Sequence, residues 1–332
     1  MSKLGLVRAS SLMPFVRFLV ENGIELAPHF EKALLPEQLI EDDEAWIPKR
    51  QVYLFLSDVA AQHHLESIGL IVGDQICVAD WGPLGQAIHD GETLADAIRI
   101  FSDLLPRFAE GNEIVLTDGG AESYFCYRTL DHTKGNRDYA DHYGMMMLLS
   151  IVRLAVGERW YPDRVTIQTG VSDAFIAHPV WANSRIAFEA EGTGFYFPSE
   201  WLSRSIPAMP EPEGAGGSIP MGPSVKLSES LRSILQAYVR IGGVPSLEKV
   251  AETLSMNERT LKRRLRDDGL TYSEIAEGVR LHAAKSMLEE GVTPVREIAL
   301  ILGYSGANNF IRAFQKKMQV TPGEYRDTVR RV

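Results

Sequence analysis

Apolar residues in the last hundred positions recur with the spacing of an α-helix, and the whole arrangement occurs twice. In the first copy, residues 246–269, one helix face carries Leu247, Val250, Ala251 and Leu254. Ser246 is the predicted N-cap of this helix, and Ser255–Met256 is the predicted turn. Asn257 is the predicted N-cap of a second helix, in which Leu261 and Leu265 face inward. The pattern predicts two short helices joined by a tight turn.

The second copy, residues 293–319, repeats this order of elements. Thr293 is the predicted N-cap and Pro294 the first helical residue, a position where the missing N–H of proline costs nothing. The apolar stripe of the first helix is Ile298, Ala299 and Leu302. Gly303 is expected at the turn, where it adopts positive φ without strain. Asn308 is the predicted N-cap of the next helix, whose inward side chains are Phe310, Phe314 and Met318.

A single helix is predicted between the two copies. Thr271 and Glu274 have the spacing of a capping box, and Gly291 is the expected stop about 18 residues later. Such a helix is about 27 Å long, which suits two recognition helices in successive turns of the major groove. Thr321 and Glu324 form another capping box, at the start of a last short helix. The sequence thus predicts an all-α C-terminal domain with two helix-turn-helix motifs joined by a linker helix.

The second helix of each copy is rich in basic and amide side chains. Within the nine residues 258–266, five side chains are basic: Arg259, Lys262, Arg263, Arg264 and Arg266. The outward residues of the other helix are Asn309, Arg312, Lys316 and Lys317. A cationic helix with one apolar seam suits a major groove about 12 Å wide. A solvated basic face is the alternative interpretation of one such helix.

Residues 227–330 resemble the DNA-binding domain of AraC/XylS-type bacterial transcription regulators. The resemblance lies in TLKRRLRDDGLTYSEI, VRLHAAKSMLEEG and PVREIALILGYSGANNFIRAFQKKMQVTPGEYR. It implies binding to double-stranded DNA and recruitment of RNA polymerase. The resemblance and the charge pattern together predict which residues contact DNA. They are Arg259, Lys262, Arg263, Arg266, Asn308, Asn309, Arg312 and Lys316. Ser255 and Gln319 depart from the family pattern, and both lie at predicted turns.

The first two hundred residues change from helical to strand periodicity along the chain. Predicted helices cover residues 11–22, 49–63, 92–108 and 139–157. Predicted strands cover residues 113–116, 123–130, 164–169 and 185–188. The apolar run from Met145 to Val156 places the last helix at the centre of the core. The pattern predicts an α+β domain with helices packed on a β-sheet.

Residues 15–205 also resemble a known domain, the arabinose-binding type of ligand domain found in ornithine- and amine-responsive regulators. The matching stretches are WGPLGQAIHDGETLADAIRIFSDLLPRF and RIAFEAEGTGFYFPSEWLSRSIP. The resemblance implies a sensor of a small molecule. Residues 207–223 are rich in Pro and Gly, as in a linker. The predicted organisation is a sensor domain over 1–206, a flexible linker over 207–226 and a DNA-binding domain over 227–332.

Charge differs sharply between the two parts of the chain. Residues 227–332 hold 17 Lys and Arg against 13 Asp and Glu, whereas residues 1–226 hold 17 against 31, so the net charges are +4 and −14. The acidic part is expected to stay off nucleic acid and to favour a cationic or amine-bearing effector. Two isolated cysteines, Cys77 and Cys126, fit a reducing cytoplasm. The sequence shows no signal-peptide pattern and no apolar run of membrane-spanning length.

Other chemistry has weaker support. Asp138, Asp141 and His142 could bind a metal ion, but acidic residues are also common in the first turn of a helix, so no metal and no cofactor is predicted. The chain shows no catalytic motif, and we expect no enzymatic activity. An enzyme with a DNA-binding tail and an architectural DNA-binding protein are the rival interpretations. A homodimer is compatible with the sequence but not indicated by it.

Overall fold

The computed structural model describes residues 5–35, 46–130, 135–207, 227–254 and 256–329. The chain divides into two units, one of residues 1–33 and 48–223 and the other of residues 34–47 and 224–332. Apart from Pro207, the predicted linker lies outside the described residues, and so does Ser255 of the predicted first turn. The exact boundaries of the two domains remain a prediction.

Short helices precede most of the strands up to residue 207. The helices are α1 (Met13–Glu21), α2 (Ala27–Ala33), α3 (Lys49–His63), α4 (Ile68–Gln75), α5 (Pro83–His89), α6 (Leu94–Leu104), α7 (Asp138–Val156) and α8 (Asp173–Ile176). The strands are β1 (Leu6–Arg8), β2 (Trp46–Pro48), β3 (Asn112–Asp118), β4 (Glu122–Thr129), β5 (Arg164–Thr166), β6 (Arg185–Ala187) and β7 (Thr193–Pro198).

Five of these strands form one sheet in the order β3-β4-β7-β5-β6. All neighbours are antiparallel except β5 and β6, which are parallel. Phe125 on β4 is paired with Phe195 on β7, and both side chains are fully buried. They share one hydrophobic core with α6 and with the apolar part of α7, in which Met145 and Leu149 are fully buried. The predicted arrangement of helices on a sheet is confirmed.

One strand of this sheet was not predicted. Gly192 and Gly194 favour a loop in a sequence pattern, yet Thr193–Pro198 forms β7 beside the central strand β4. A Cβ atom at Gly194 would lie 2.1 Å from the carbonyl oxygen of Phe125. Glycine is present here because the backbones approach closely, which a pattern of turn-forming residues cannot distinguish from a loop.

The observed ends of some helices differ from the predicted ends because local capping determines them. The side chain of Thr93 accepts a hydrogen bond from the backbone N–H of Asp96, so α6 begins at Leu94 and not at residue 92. A 3₁₀ turn over Leu105–Arg107 follows the helix and contains Pro106, so the α-helical part ends at Leu104. The central helix α7 begins at Asp138, one residue from its predicted start.

The second unit is helical from residue 227 onward. Its helices are α9 (Leu227–Gly242), α10 (Leu247–Thr253), α11 (Glu258–Asp267), α12 (Tyr272–Glu290), α13 (Val295–Ile301), α14 (Ala307–Met318) and α15 (Pro322–Val329). Ser246 and Asn257 cap α10 and α11 as predicted. Thr271 and Glu274 form the predicted capping box of α12, and Gly291 ends this helix in the left-handed conformation.

Two predicted caps in the second copy are wrong. Pro294 is itself the N-cap of α13, with an extended ψ of 145°, so Thr293 is not the cap and Pro294 is not the first helical residue. Gly306 precedes α14 with extended backbone, and the helix begins at Ala307. Asn308 therefore lies inside the first turn of α14 with an exposed side chain, instead of capping the helix.

The linker helix α12 is held by both helix-turn-helix motifs. It has 19 residues and is about 28 Å long. Near its start, the Tyr272 hydroxyl donates a hydrogen bond to the carbonyl of Pro245, just before α10. In its middle, Arg280 Nε donates to the carbonyl oxygen of Leu302 at 3.2 Å, at the end of α13. These bonds fix the two motifs on one rigid element.

Candidate nucleic-acid interface and effector site

The first recognition helix presents a basic face opposite its buried side. Leu261 and Leu265 are fully buried. Since each residue turns the helix by about 100°, Arg263 projects from the opposite side. The four predicted contact residues on this helix are all exposed: Arg259, Lys262, Arg263 and Arg266. Arg264 is half-buried and lies outside this face, as expected of a residue turned toward its neighbours.

Three of these arginines line a concave pocket with a volume of about 420 Å³. Its lining residues are Asn257, Arg259, Thr260, Arg263, Arg266 and Asp267. The position of the helix start is fixed by Asn257, whose side-chain oxygen accepts a hydrogen bond from the Thr260 N–H at 2.8 Å. Lys262 belongs to the same exposed face, where its Nζ pairs with Glu258 Oε2 at 2.8 Å. Anionic oxygen atoms are the natural complement of such a concavity.

The second recognition helix is less basic and more amide-rich. Phe310 and Phe314 are buried, and the predicted contact residues on α14 are all exposed: Asn308, Asn309, Arg312 and Lys316. Lys317 instead pairs with Glu277 on α12 at 3.3 Å, which helps to hold the two helices together.

A hydrogen-bond network at the start of α14 was missed by the sequence analysis. Asn309 Nδ2 donates to Ser305 Oγ at 2.7 Å. Asn309 Oδ1 accepts from Arg312 Nη2 at 2.6 Å. Ser305 precedes the helix, and its four-residue spacing from Asn309 is the sequence signal that could have indicated the contact. The network fixes the orientation of the Asn309 amide.

In the first unit, Asp141 and His142 are buried at the start of α7. Asp141 Oδ1 accepts a hydrogen bond from the Tyr127 hydroxyl at 2.9 Å, and Oδ2 is 3.3 Å from Arg137 Nε. Burial raises the pKa of Asp141 to about 6 and lowers the pKa of His142 to about 4. Among the described residues, no three His, Cys, Asp or Glu side chains are grouped as metal ligands. Both carboxylate oxygens of Asp141 therefore have partners within the protein, Tyr127 and Arg137.

His142 begins a column of buried rings. Its ring centroid is 4.9 Å from that of Phe175, which stacks on Trp181 at 5.0 Å. Both ring nitrogens of His142 and the Trp181 Nε1 are buried without a hydrogen-bond partner among the described residues. Phe175 and Trp181 lie between β5 and β6. Small-molecule sites combine such apolar walls with a few polar groups.

Two known domain families match the chain. Residues 23–206 match the arabinose-binding domain of AraC transcription regulator, N-terminal, and residues 250–328 match a helix-turn-helix domain. The chain therefore belongs to the AraC family, and it is a transcription regulator with an N-terminal ligand-binding domain and a C-terminal DNA-binding domain.

The chain is similar over most of its length to other bacterial regulators. The chain is 29% identical to the ornithine utilization regulator of Pseudomonas aeruginosa over 279 residues, which cover 79% of this chain and 78% of that protein. It is 24% identical to the regulator VqsM of the same organism over 284 residues, 78% of this chain and 83% of that protein. The crystal structure of the regulator CdpR from P. aeruginosa aligns over 96% of this chain and 98% of its own, with 18% identity and a TM-score of 0.40.

Within the described ranges, no helix is both long enough and apolar enough to cross a bilayer.

Proposed function

We propose that α11 and α14 bind two successive turns of the major groove of an operator. The observation that supports this is the placement of the eight predicted contact residues. All of them are exposed, and they lie on two helices whose motifs are both bonded to α12. Their side chains are Arg259, Lys262, Arg263, Arg266, Asn308, Asn309, Arg312 and Lys316. Arg and Lys would contact phosphates and guanine, and Asn would contact base edges.

The test is a footprint on DNA selected by the full-length protein from a random-sequence library. We expect two short protected blocks, about one helical turn apart, on one face of the duplex. Protection of a single block, or of blocks on opposite faces, would contradict the placement of both helices by one chain.

We infer that the effector binds in the first unit and that it is an amine or a cationic amino acid. The net charge of −14 over residues 1–226 favours a cation, and the relative named as an ornithine utilization regulator points the same way. The ring column at His142 supplies buried polar groups for such a molecule. Only a ligand with different affinities for two states of the protein can change its DNA binding.

The effector proposal is tested by adding L-ornithine, putrescine or L-arabinose to the full-length protein. An amine should raise the melting temperature of the first unit and change the affinity for the selected DNA, whereas L-arabinose should do neither. Stabilisation by L-arabinose alone would contradict the cationic assignment.

We propose further that the operator-bound protein recruits RNA polymerase in the cytoplasm and acts without enzymatic turnover. Transcription from a promoter carrying the selected site, with purified polymerase, should rise when the protein is added. One chain supplies both recognition helices, so binding does not require a dimer. A homodimer would place four such helices on DNA, and sedimentation velocity of the protein with and without its site distinguishes the two states.

A further inference from the structure

The network around Asn309 defines what this side chain can recognise. We infer that Asn309 recognises one adenine of the operator, and that Ser305 and Arg312 are positioning residues which fix its amide. The inference rests on the proposed function, because it requires the N-terminal part of α14 to lie in the major groove.

The hydrogen-bond count supports this role. A side-chain amide has two N–H donors on nitrogen and two acceptor positions on oxygen. Asn309 uses one donor for Ser305 Oγ, at 2.7 Å, and one acceptor position for Arg312 Nη2, at 2.6 Å. One donor and one acceptor position remain, on a side chain that is exposed. The two partners also determine which end of the amide is nitrogen and which is oxygen.

The remaining donor and acceptor match the major-groove edge of adenine. Adenine presents the N7 acceptor beside the N6 amino donor, and asparagine pairs with both at once. Guanine presents two acceptors, N7 and O6, so the Asn309 oxygen would face another oxygen. An amide that is already held in one orientation loses little side-chain entropy when it binds. The network therefore favours adenine over guanine before any DNA is present.

The position of Asn309 on the helix agrees with this assignment. It is the third residue of α14, and the N-terminal residues of a recognition helix are those that contact base edges. Phe310 and Phe314 are buried on the other side of the helix. On α11, by contrast, Arg263 occupies the outward face, and arginine pairs with guanine O6 and N7. The two blocks of the operator should thus differ in composition, which sets the direction of the protein on the DNA.

The experiment uses the full-length protein and an operator selected from a random-sequence library. Each adenine of the block under α14 is replaced in turn by 7-deazaadenine, which lacks the N7 acceptor, or by purine, which lacks the N6 amino group. At one position, both replacements should weaken binding about 5- to 150-fold, the range for one bidentate pair. With Asn309→Ala, the same replacements should have no effect.

Two more variants separate recognition from folding. Asn309→Asp keeps the side-chain shape and suits a helix N-terminus, but it replaces the donor with an acceptor, so the preference for adenine should be lost while the helix content measured by circular dichroism is unchanged. Ser305→Ala should reduce the discrimination between adenine and guanine several-fold by releasing the amide. Ser273→Ala, the same change at an exposed position in the first turn of α12, should leave it unchanged.

Two outcomes would overturn the inference. One is that no modified adenine under α14 affects binding; the other is that Asn309→Ala weakens binding to all four bases by the same factor. Failure of the proposed function is distinguishable, because the footprint would then show a single protected block, or blocks on opposite faces of the duplex. If binding is selective but does not depend on adenine N7 and N6, the proposed function stands and only the role inferred for Asn309 is wrong.

Discussion

Asp141 and His142 make opposite contributions to the pH dependence of folding. Burial raises the pKa of Asp141 from 3.8 to about 6 and lowers that of His142 from 6.5 to about 4. Both shifts favour the neutral side chain in the folded protein. The stability from Asp141 is complete below pH 3.8 and is lost as the pH rises through 6. The stability from His142 is complete above pH 6.5 and is lost as the pH falls through 4.

The magnitudes follow from proton linkage between the folded and unfolded states. From pH 7 to pH 5, His142 lowers the free energy of unfolding by about 2 kcal/mol, and Asp141 raises it by about 1 kcal/mol. In the natural protein the two effects largely cancel. Of these two effects, His142→Leu leaves only that of Asp141, so the contribution of this pair to stability should change by about +1 kcal/mol over this interval. Asp141→Asn should show the opposite change, about −2 kcal/mol.

Urea unfolding at pH 7 and pH 5, followed by tryptophan fluorescence, measures these changes. All five tryptophans precede residue 202 and none lies in residues 227–332, so the signal is insensitive to the DNA-binding helices. Each variant is compared with itself at the two pH values, which removes the direct effect of the substitution on packing. The reasoning is refuted if both variants show the same pH dependence, because that would mean that neither group stays neutral when the protein folds.

Three further outcomes concern DNA binding. Raising the salt concentration from 50 to 200 mM should lower the operator affinity roughly 10³-fold if about six phosphates are contacted, and a change of less than tenfold in a titration would exclude a mainly electrostatic interface. Arg263→Ala should cost about 1–3 kcal/mol of binding free energy, while Arg264→Ala, a half-buried neighbour, should cost less; a mobility-shift assay showing the reverse order would mean that another face of α11 meets the DNA. Inserting five base pairs between the two protected blocks should sharply reduce binding, since α12 cannot follow the rotation, and full recovery with ten inserted pairs would show that the two motifs come from different chains.

The C-terminal helices could be predicted because local rules determine them. Ser246, Asn257 and the Thr271–Glu274 capping box place their helix starts correctly, since each cap bonds to a backbone N–H three residues away. The errors at Thr293 and Asn308 have one cause. In each case the predicted cap lies one or two positions from the observed one, and the backbone conformation of Pro294 and Gly306 decides where the helix begins.

The sheet of the first unit was harder to predict because long-range pairing decides it. β7 lies between β4 and β5, and its partners are about 70 and about 30 residues away in sequence. Its glycines serve the close approach of strands, not a turn. The column of His142, Phe175 and Trp181 has the same origin, because it joins α7 to a segment between two strands. Apolar spacing within one element cannot indicate such a contact.

The outward face of a recognition helix can be predicted more easily than the role of each residue on that face. The buried Leu261 and Phe310 fix which residues of α11 and α14 point outward, and this is legible in the sequence. Residue type alone, however, does not distinguish Asn308 from Asn309, since either amide can cap a helix or bind a base. The structure separates them: Asn309 is held by Ser305 and Arg312, so one donor and one acceptor of its amide are left in a fixed order. Specificity at this position thus depends on an exposed neighbour outside the helix, and a substitution at Ser305 should alter base preference without changing either the fold or the contact residue itself.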